Sequence, residues 1–344
     1  MRSFLRPAAG LVCLLALAAA GCSSGAGDTA DAAPGGAAKT GTAPGTAPAT
    51  APTTSYAPYV SATAASATDA TGSPAVYNLA FVISGGDDCV PRWNGTDAVG
   101  DAAVKSRVAV LKKSGASVRV SFGGASGKEL AEVCSSASAL AAAYAAALDA
   151  AGSTRADFDV EGTALTDSAS VALRCEAIAL LQKERTGLRV SFTLPVMPSG
   201  LDAGGLALLE SANDHSVRVS TVNVMTMNYG SSYTGDMGDY AETAARAVHG
   251  QLEDVFGLSS AGAWQGLALT SMIGDNDVAG ETFGLADAAQ VRAFAEEKRI
   301  AWVSMWSTFR DRQCSGDDAA SAGAATDCSG VRQSPGAFAR AFAG

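Results

Sequence analysis

From residue 55 onward, short runs dense in Val, Ile, Leu, Phe and Tyr alternate with longer stretches whose apolar positions follow a helical period. The β-rich runs are Tyr56–Ser61, Tyr77–Ser84, Val118–Gly123, Ala156–Glu161, Leu188–Val196, Val222–Tyr229, Leu267–Ile273 and Ala301–Trp306, recurring at roughly 30 to 40 residues. Helical spacing marks Lys128–Ala150, Ser168–Arg185, Tyr240–Val255 and Ala286–Lys298. Strands alternating with helices imply a parallel sheet with crossover connections. Eight such strands in about 290 residues predict an α/β fold, a (β/α)8 TIM barrel forming one domain over residues 55–344. A doubly wound sheet is the alternative, but no G-x-G-x-x-G follows any of the strands. Pro58 makes the first strand the weakest, since proline removes a ladder donor.

Ahead of that alternation the pattern changes twice. Arg2 and Arg6 flank the start of Ala8–Ala20, a continuous apolar run of 13 residues. Such a run is too short to span a bilayer, which takes about 20 residues, and suits a cleaved export signal. Two cleavage readings compete. Ala18-Ala19-Ala20 fits an A-x-A cut, whereas Ala19-Ala20-Gly21-Cys22 resembles a bacterial lipobox that would leave a lipid on Cys22. Residues 1–22 are read as a signal peptide with a lipobox, and the protein as exported, extracellular or held at the cell surface as a lipoprotein. Residues 23–54 are rich in Ala, Gly, Thr and Pro, and their segment Gly41–Pro52 has no large apolar side chain to repay ordering entropy. They predict a disordered linker spanning roughly 30 Å.

Formal net charge is −10, and −12 once the first 21 residues, which carry Arg2 and Arg6 and no acid, are removed. Phosphate binding needs an excess of Lys and Arg, so no nucleic acid partner is expected. His215 and His249 are the only histidines, which disfavours a His-rich metal site; no metal and no cofactor are expected. A monomer is expected, touching membrane only through the lipid on Cys22. Export makes disulfides the reading for the remaining cysteines: Cys314 with Cys328 across a Gly/Ala/Asp-rich loop, and Cys89 with Cys134. Cys175 lies in an apolar helical run and reads as a buried free thiol.

Chemistry in a barrel sits where its strands end. Asp157-Phe-Asp159-Val-Glu161-Gly162 places three carboxylates at period two, all on the interior face. Desolvation and mutual repulsion disfavour full ionisation of such a set, so at least one proton is retained near neutral pH. A general acid requires just that. An exposed acidic edge or a calcium site is the non-catalytic alternative.

The stretch Asp157–Glu161 resembles the D-x-D-x-E signature of the family 18 glycoside hydrolases, the chitinases. Val120-Ser-Phe-Gly-Gly124, one strand earlier, is similar to that family's S-x-G-G strand. Val224-Met-Thr-Met-Asn-Tyr-Gly230 resembles its M-x-Y-D region on the sixth strand, and Ser304-Met-Trp306-Ser its last strand. Met272–Asp277 with Gly280-Glu-Thr-Phe is similar to the bacterial and archaeal subgroup with a short D-F-D-[IV]-E-G motif. The likeness runs from about residue 56 to 340 with its motifs in order. Two departures stand out. Thr154-Arg155 replaces the Asp-Gly that opens the longer motif, and Met227-Asn228 stands where many members have Tyr-Asp.

The resemblance implies a retaining chitinase acting on chitin or chito-oligosaccharides by substrate-assisted catalysis. Glu161 would protonate the leaving oxygen while the sugar's own acetamide attacks. Asp159 would bind the acetamide N–H, with Asp157 sharing its proton. Tyr229 and Asn228 would orient the acetamide, Met227 would also contact substrate, Trp306 would floor the sugar site, and Ser121 and Gly124 would shape it. From the residues alone, Asp157 or Asp159 as a direct nucleophile stays open. An endo-β-N-acetylglucosaminidase acting on N-glycan cores and a non-catalytic sugar-binding protein on the same barrel are the alternatives. Trp93 and Trp264 are candidates for further subsites or for plain packing.

Overall fold

A computed structural model describes residues 54–315 and 327–344. The readings of residues 1–22, of Cys22 and of the linker as far as residue 53 lie outside the described residues.

The eight predicted strands are present as β1 (Ser55–Tyr56 and Tyr59–Ser61), β2 (Val76–Ser84), β3 (Ser117–Gly123), β4 (Arg155–Asp159), β5 (Arg189–Pro195), β6 (Val219–Met225), β7 (Leu267–Met272) and β8 (Trp302–Trp306). Strands β2 to β8 pair in sequence order, each parallel to the next. Strand β1 closes the ring in two halves. Ser55 and Tyr56 pair with Trp302 and Val303 of β8, whereas Tyr59–Ser61 pair with Asn78–Ala80 of β2. Pro58 sits at the handover between the two neighbours, where its missing N–H costs little and its carbonyl still accepts from the Asn78 amide. The result is the TIM barrel expected.

Helices α1 (Ala102–Lys112), α2 (Ala137–Ala151), α3 (Ser168–Glu184), α4 (Ala203–Asp214), α5 (Met237–Phe256), α6 (Leu285–Lys298) and α7 (Ala337–Ala343) surround the barrel. Side-chain oxygens cap several of them: Asp101 accepts from Ala103 and Val104, Asp167 from Ala169 and Ser170, and Asp236 from Asp239. The helix expected over 128–150 is broken into Leu130–Val133 and α2. Ser136 caps α2 through the Ala139 amide, and a serine that caps from an extended backbone cannot also continue a preceding helix. The connection from β1 to β2 carries no helix.

Alternation divides the strands. Outward side chains meet the helices in an aromatic layer, where Phe158 stacks on Phe122 at 5.3 Å and meets Tyr144 edge-on at 4.9 Å. Burying each such ring contributes about 1.5–3 kcal/mol. Inward positions are polar: Arg119, Ser121, Asp157, Asp159, Ser191, Thr193, Asn223 and Thr270 are all buried. Cys89–Cys134 and Cys314–Cys328 are disulfides joining loops at the strand-end rim, and Cys175 is a buried free thiol. Composition placed Thr54 in the linker, but it is buried, its hydroxyl donating to the Ala295 and Ile300 carbonyls.

Candidate active site

At the strand-end mouth a cavity of about 400 Å³ opens among the ends of β4, β5, β6, β7 and β8. Asp159 and Glu161 line one side and Trp306 another, with Met225, Met227 and Met272 between.

The three carboxylates do not share one environment. Asp157, 1% exposed, lies beneath the cavity rather than on its wall. Four hydroxyls donate to it: Ser191 at 2.6 Å, Ser121 at 2.7 Å, Thr193 at 2.9 Å and Tyr59 at 3.0 Å. Strand register delivers three of them, because Ser121, Asp157 and Ser191 stand side by side and Thr193 is one inward step further along β5. The chain of donors continues across the barrel. The Asn223 amide donates to the Thr193 hydroxyl at 2.9 Å, and the Thr270 hydroxyl to the Asn223 carbonyl at 2.9 Å. Burial and the neighbouring Asp157 push the Tyr59 phenol well above its ordinary value, so it remains a donor. Hydroxyls alone thus hold the Asp157 carboxylate.

Asp159 is buried and its Oδ1 has no hydrogen-bond partner. Burial first, then the charges of Glu161 and Asp157, raise it well above the usual carboxylate range. Burial also raises Glu161, and its hydrogen bond with Asp159 works the other way. Together they titrate as one coupled pair, with Glu161 at the cavity edge. Glu161 lies beyond the end of β4, but its extended backbone keeps the alternation. Close approach to β3 fixes this arrangement. The Gly124 amide donates to the Asp159 carbonyl at 2.9 Å, and a Cβ on Gly123, at φ +96°, would collide with that same oxygen.

Trp306 is held on three sides: Phe81 stacks on it at 5.5 Å, while Tyr59 at 5.8 Å and Phe309 at 5.5 Å meet it edge-on. Asn228, at φ +55°, donates through Nδ2 to Asp277 and accepts from the Asp277 amide at 3.0 Å. Met227 and Asn228 line the cavity as expected; Tyr229 does not. The left-handed turn at Asn228 ends the strand alternation, so the Tyr229 ring packs behind the wall against Tyr233 and Tyr240. Its hydroxyl is buried without a partner, and burial with the charge of Glu281 raises it. Ser121 does not line the cavity; it lies below, donating to Asp157. Gly124 lies beside the cavity, where a Cβ would press on the Phe81 ring at 3.0 Å. Trp93 is fully buried, and Trp264 stacks on His249 at 4.1 Å, so both are packing residues. Sequence reasoning missed Tyr59, Phe81, Thr193 and Asp202 as site residues and placed Asp277 only within a motif; the fold brings all five to the cavity wall. For Thr193 a signal existed: Ser191 and Thr193 alternate with Val190, Phe192 and Leu194.

No family model matches the chain. Over 275 residues it is 32% identical to the probable bifunctional chitinase/lysozyme of Escherichia coli (strain K12), an alignment covering 74% of this chain and 31% of that protein. It is also 32% identical over 274 residues to endochitinase 11 of Metarhizium anisopliae, covering 74% of this chain and 52% of that one. The crystal structure of the catalytic domain of a hyperthermophilic chitinase from Pyrococcus furiosus matches with a TM-score of 0.74 at 29% identity, over 85% of this chain and 94% of that one. The chain belongs to the family 18 glycoside hydrolases. As a family 18 barrel it spans about a third of one curated relative and about half of the other.

Proposed function

We propose that the protein is a retaining chitinase that hydrolyses β-1,4-linked N-acetylglucosamine chains, with Glu161 as general acid and the substrate acetamide as nucleophile. The observation that carries this reading is the separation of the three carboxylates. Asp157 is enclosed by four hydroxyls beneath the cavity and cannot reach an anomeric carbon. Burial and the neighbouring carboxylates raise Asp159 well above the usual carboxylate range, which disfavours it as an ionised nucleophile. That leaves the sugar's own acetamide oxygen.

The proton shared by Asp159 and Glu161 leaves through Glu161 to the glycosidic oxygen as the bond to the anomeric carbon breaks. Asp159, now a carboxylate, accepts from the acetamide N–H and stabilises the oxazolinium cation. Glu161 then takes a proton from the water that opens this intermediate, and the configuration is retained. Trp306 offers its ring face to the apolar face of the sugar. The names of the two curated relatives and of the Pyrococcus structure support chitin as substrate.

The test is hydrolysis of chitotetraose by the full chain, with the first-formed anomer followed by proton NMR. Release of β-anomeric products is expected; α-anomeric products, or cleavage of β-glucosides lacking the acetamide, would overturn the reading.

We read residues 1–22 as an export signal, with Cys22 lipidated, and residues 23–53 as the tether. Two disulfides in the barrel support an oxidising compartment. Loss of membrane fractionation in C22A checks the lipid.

A further inference from the structure

A second cavity, of about 260 Å³, lies behind the carboxylate pair, and Asp159 and Glu161 line it together with Glu129, Glu132 and Thr163. Glu129 belongs to the loop after β3, and its carboxylate is closed inside the protein. Arg174 of α3, fully buried, grips it through both arms of the guanidinium, Nε to Oε1 at 2.7 Å and Nη2 to Oε2. The same Nη2 reaches the carbonyl of Ala164, three residues beyond Glu161, at 3.3 Å. A second link runs alongside. The Thr163 hydroxyl donates to Glu132 Oε1 at 3.0 Å, and Glu132 Oε2 accepts the Glu129 amide at 2.9 Å.

Packing alone does not explain a fully buried ion pair at this place. Desolvation of both charges largely cancels their attraction, and well-packed apolar residues of similar volume often serve stability as well or better. This pair joins the two loops that carry the reacting groups: the Gly123–Gly124 loop, bonded to the Asp159 backbone, and the segment that holds Glu161. Its negative end faces the carboxylates.

We propose that Glu129, clamped by Arg174, is a positioning residue that fixes the Asp159–Glu161 pair for proton donation. The proposal rests on the chitinase reading above. The charge of Glu129 adds to the groups that keep the proton on the pair. Those facing it from other elements are Asp157 on β4 and Tyr59 on β1. Glu132 stands beside Glu129, Arg119 lies beneath on β3, and Asp202 and Asp277 stand across the cavity. Taking away the Glu129 charge alone leaves Arg174 an uncompensated cation next to the pair, which favours loss of the proton.

Three variants of the full chain test this, each read by kcat and KM on chitotetraose across pH and by carbon-13 NMR titration of the side-chain carboxyls. In E129Q, kcat falls about tenfold to 100-fold with KM within about twofold. The alkaline limb and the NMR midpoint of the pair move down by about one pH unit. R174K keeps the charge but loses the fork and the Ala164 contact, so kcat falls while the limb stays in place. The double variant E129L/R174M removes both charges and decides the matter if E129Q does not fold. It keeps a folded barrel yet shows the lowered kcat and a lowered limb. Wild-type kcat and an unmoved limb in a folded E129Q or in the double variant overturn the proposal. If the wild-type chain does not turn over chitotetraose, the chitinase reading fails, and the NMR midpoint still shows whether Glu129 acts on the pair.

Discussion

The Tyr59 hydroxyl donates to the Asp157 carboxylate at 3.0 Å across the barrel interior, although the two residues lie 98 positions apart. The first strand thereby becomes part of the network that holds Asp157 beneath the cavity. Tyr59→Phe removes one of four donors to a buried carboxylate. The expected cost is about 1.5–3 kcal/mol in urea unfolding, the range for hydrogen bonds to charged groups, together with a lower kcat. Unchanged stability would mean that the remaining three hydroxyls suffice.

Glu161→Gln keeps the shape of the side chain and removes its acid. The rate on chitotetraose should fall about 10²–10⁴-fold while oligosaccharide binding, measured calorimetrically, persists. A variant retaining more than about a tenth of the wild-type rate would sink the assignment.

Asp159 links activity and stability in opposite directions. Its folded-state proton affinity is raised, so the folded protein binds more protons than the unfolded chain between the ordinary carboxyl range and the raised value. Stability from this group is therefore fully present at low pH and declines as pH rises through that window. Asp159→Asn abolishes the decline. The variant should lose most activity yet melt about 3 °C or more higher than wild type near neutrality, with the gain shrinking towards acid pH. Thermal melts at several pH values check both halves.

Sequence periodicity reached the strands and the shared face of the three acids because each is written locally: alternation for a strand, period two for a shared face; Trp306 came from the resemblance alone. Chain closure was not written locally. Tyr59 meets Asp157 only once eight strands form a ring, Thr193 meets it through the register of the neighbouring strand, and Glu129 meets Arg174 across 45 positions. Tyr229 rests on the resemblance alone, and the left-handed Asn228 ahead of it sets its ring against Tyr233 and Tyr240 behind the cavity wall. The helix over 128–150 failed because Ser136 preferred capping to continuing.

Trp306→Ala removes the flat wall of the cavity. KM for chitotetraose should rise about tenfold, consistent with the 0.5–1.5 kcal/mol of an aromatic contact plus lost burial. Quenching of tryptophan fluorescence on binding, present in wild type, should weaken in the variant.

The two cross-links close loops of different size, with sequence separations of 45 and 14. On chain-entropy grounds the C89S/C134S pair should lose about 4 kcal/mol and the C314S/C328S pair about 3 kcal/mol, read by denaturant titration. Equal losses would point to native-state contacts in place of unfolded-chain entropy.

Thr54 is fastened to carbonyls at the end of α6, and Gly344 lies beside Arg292 and Glu296 of that same helix. Both residues therefore rest on one helix, and Thr54, just ahead of the start of β1, lies at the barrel end away from the cleft. A barrel whose first strand is tied at that end to its last long helix can carry a preceding segment without crowding the cavity.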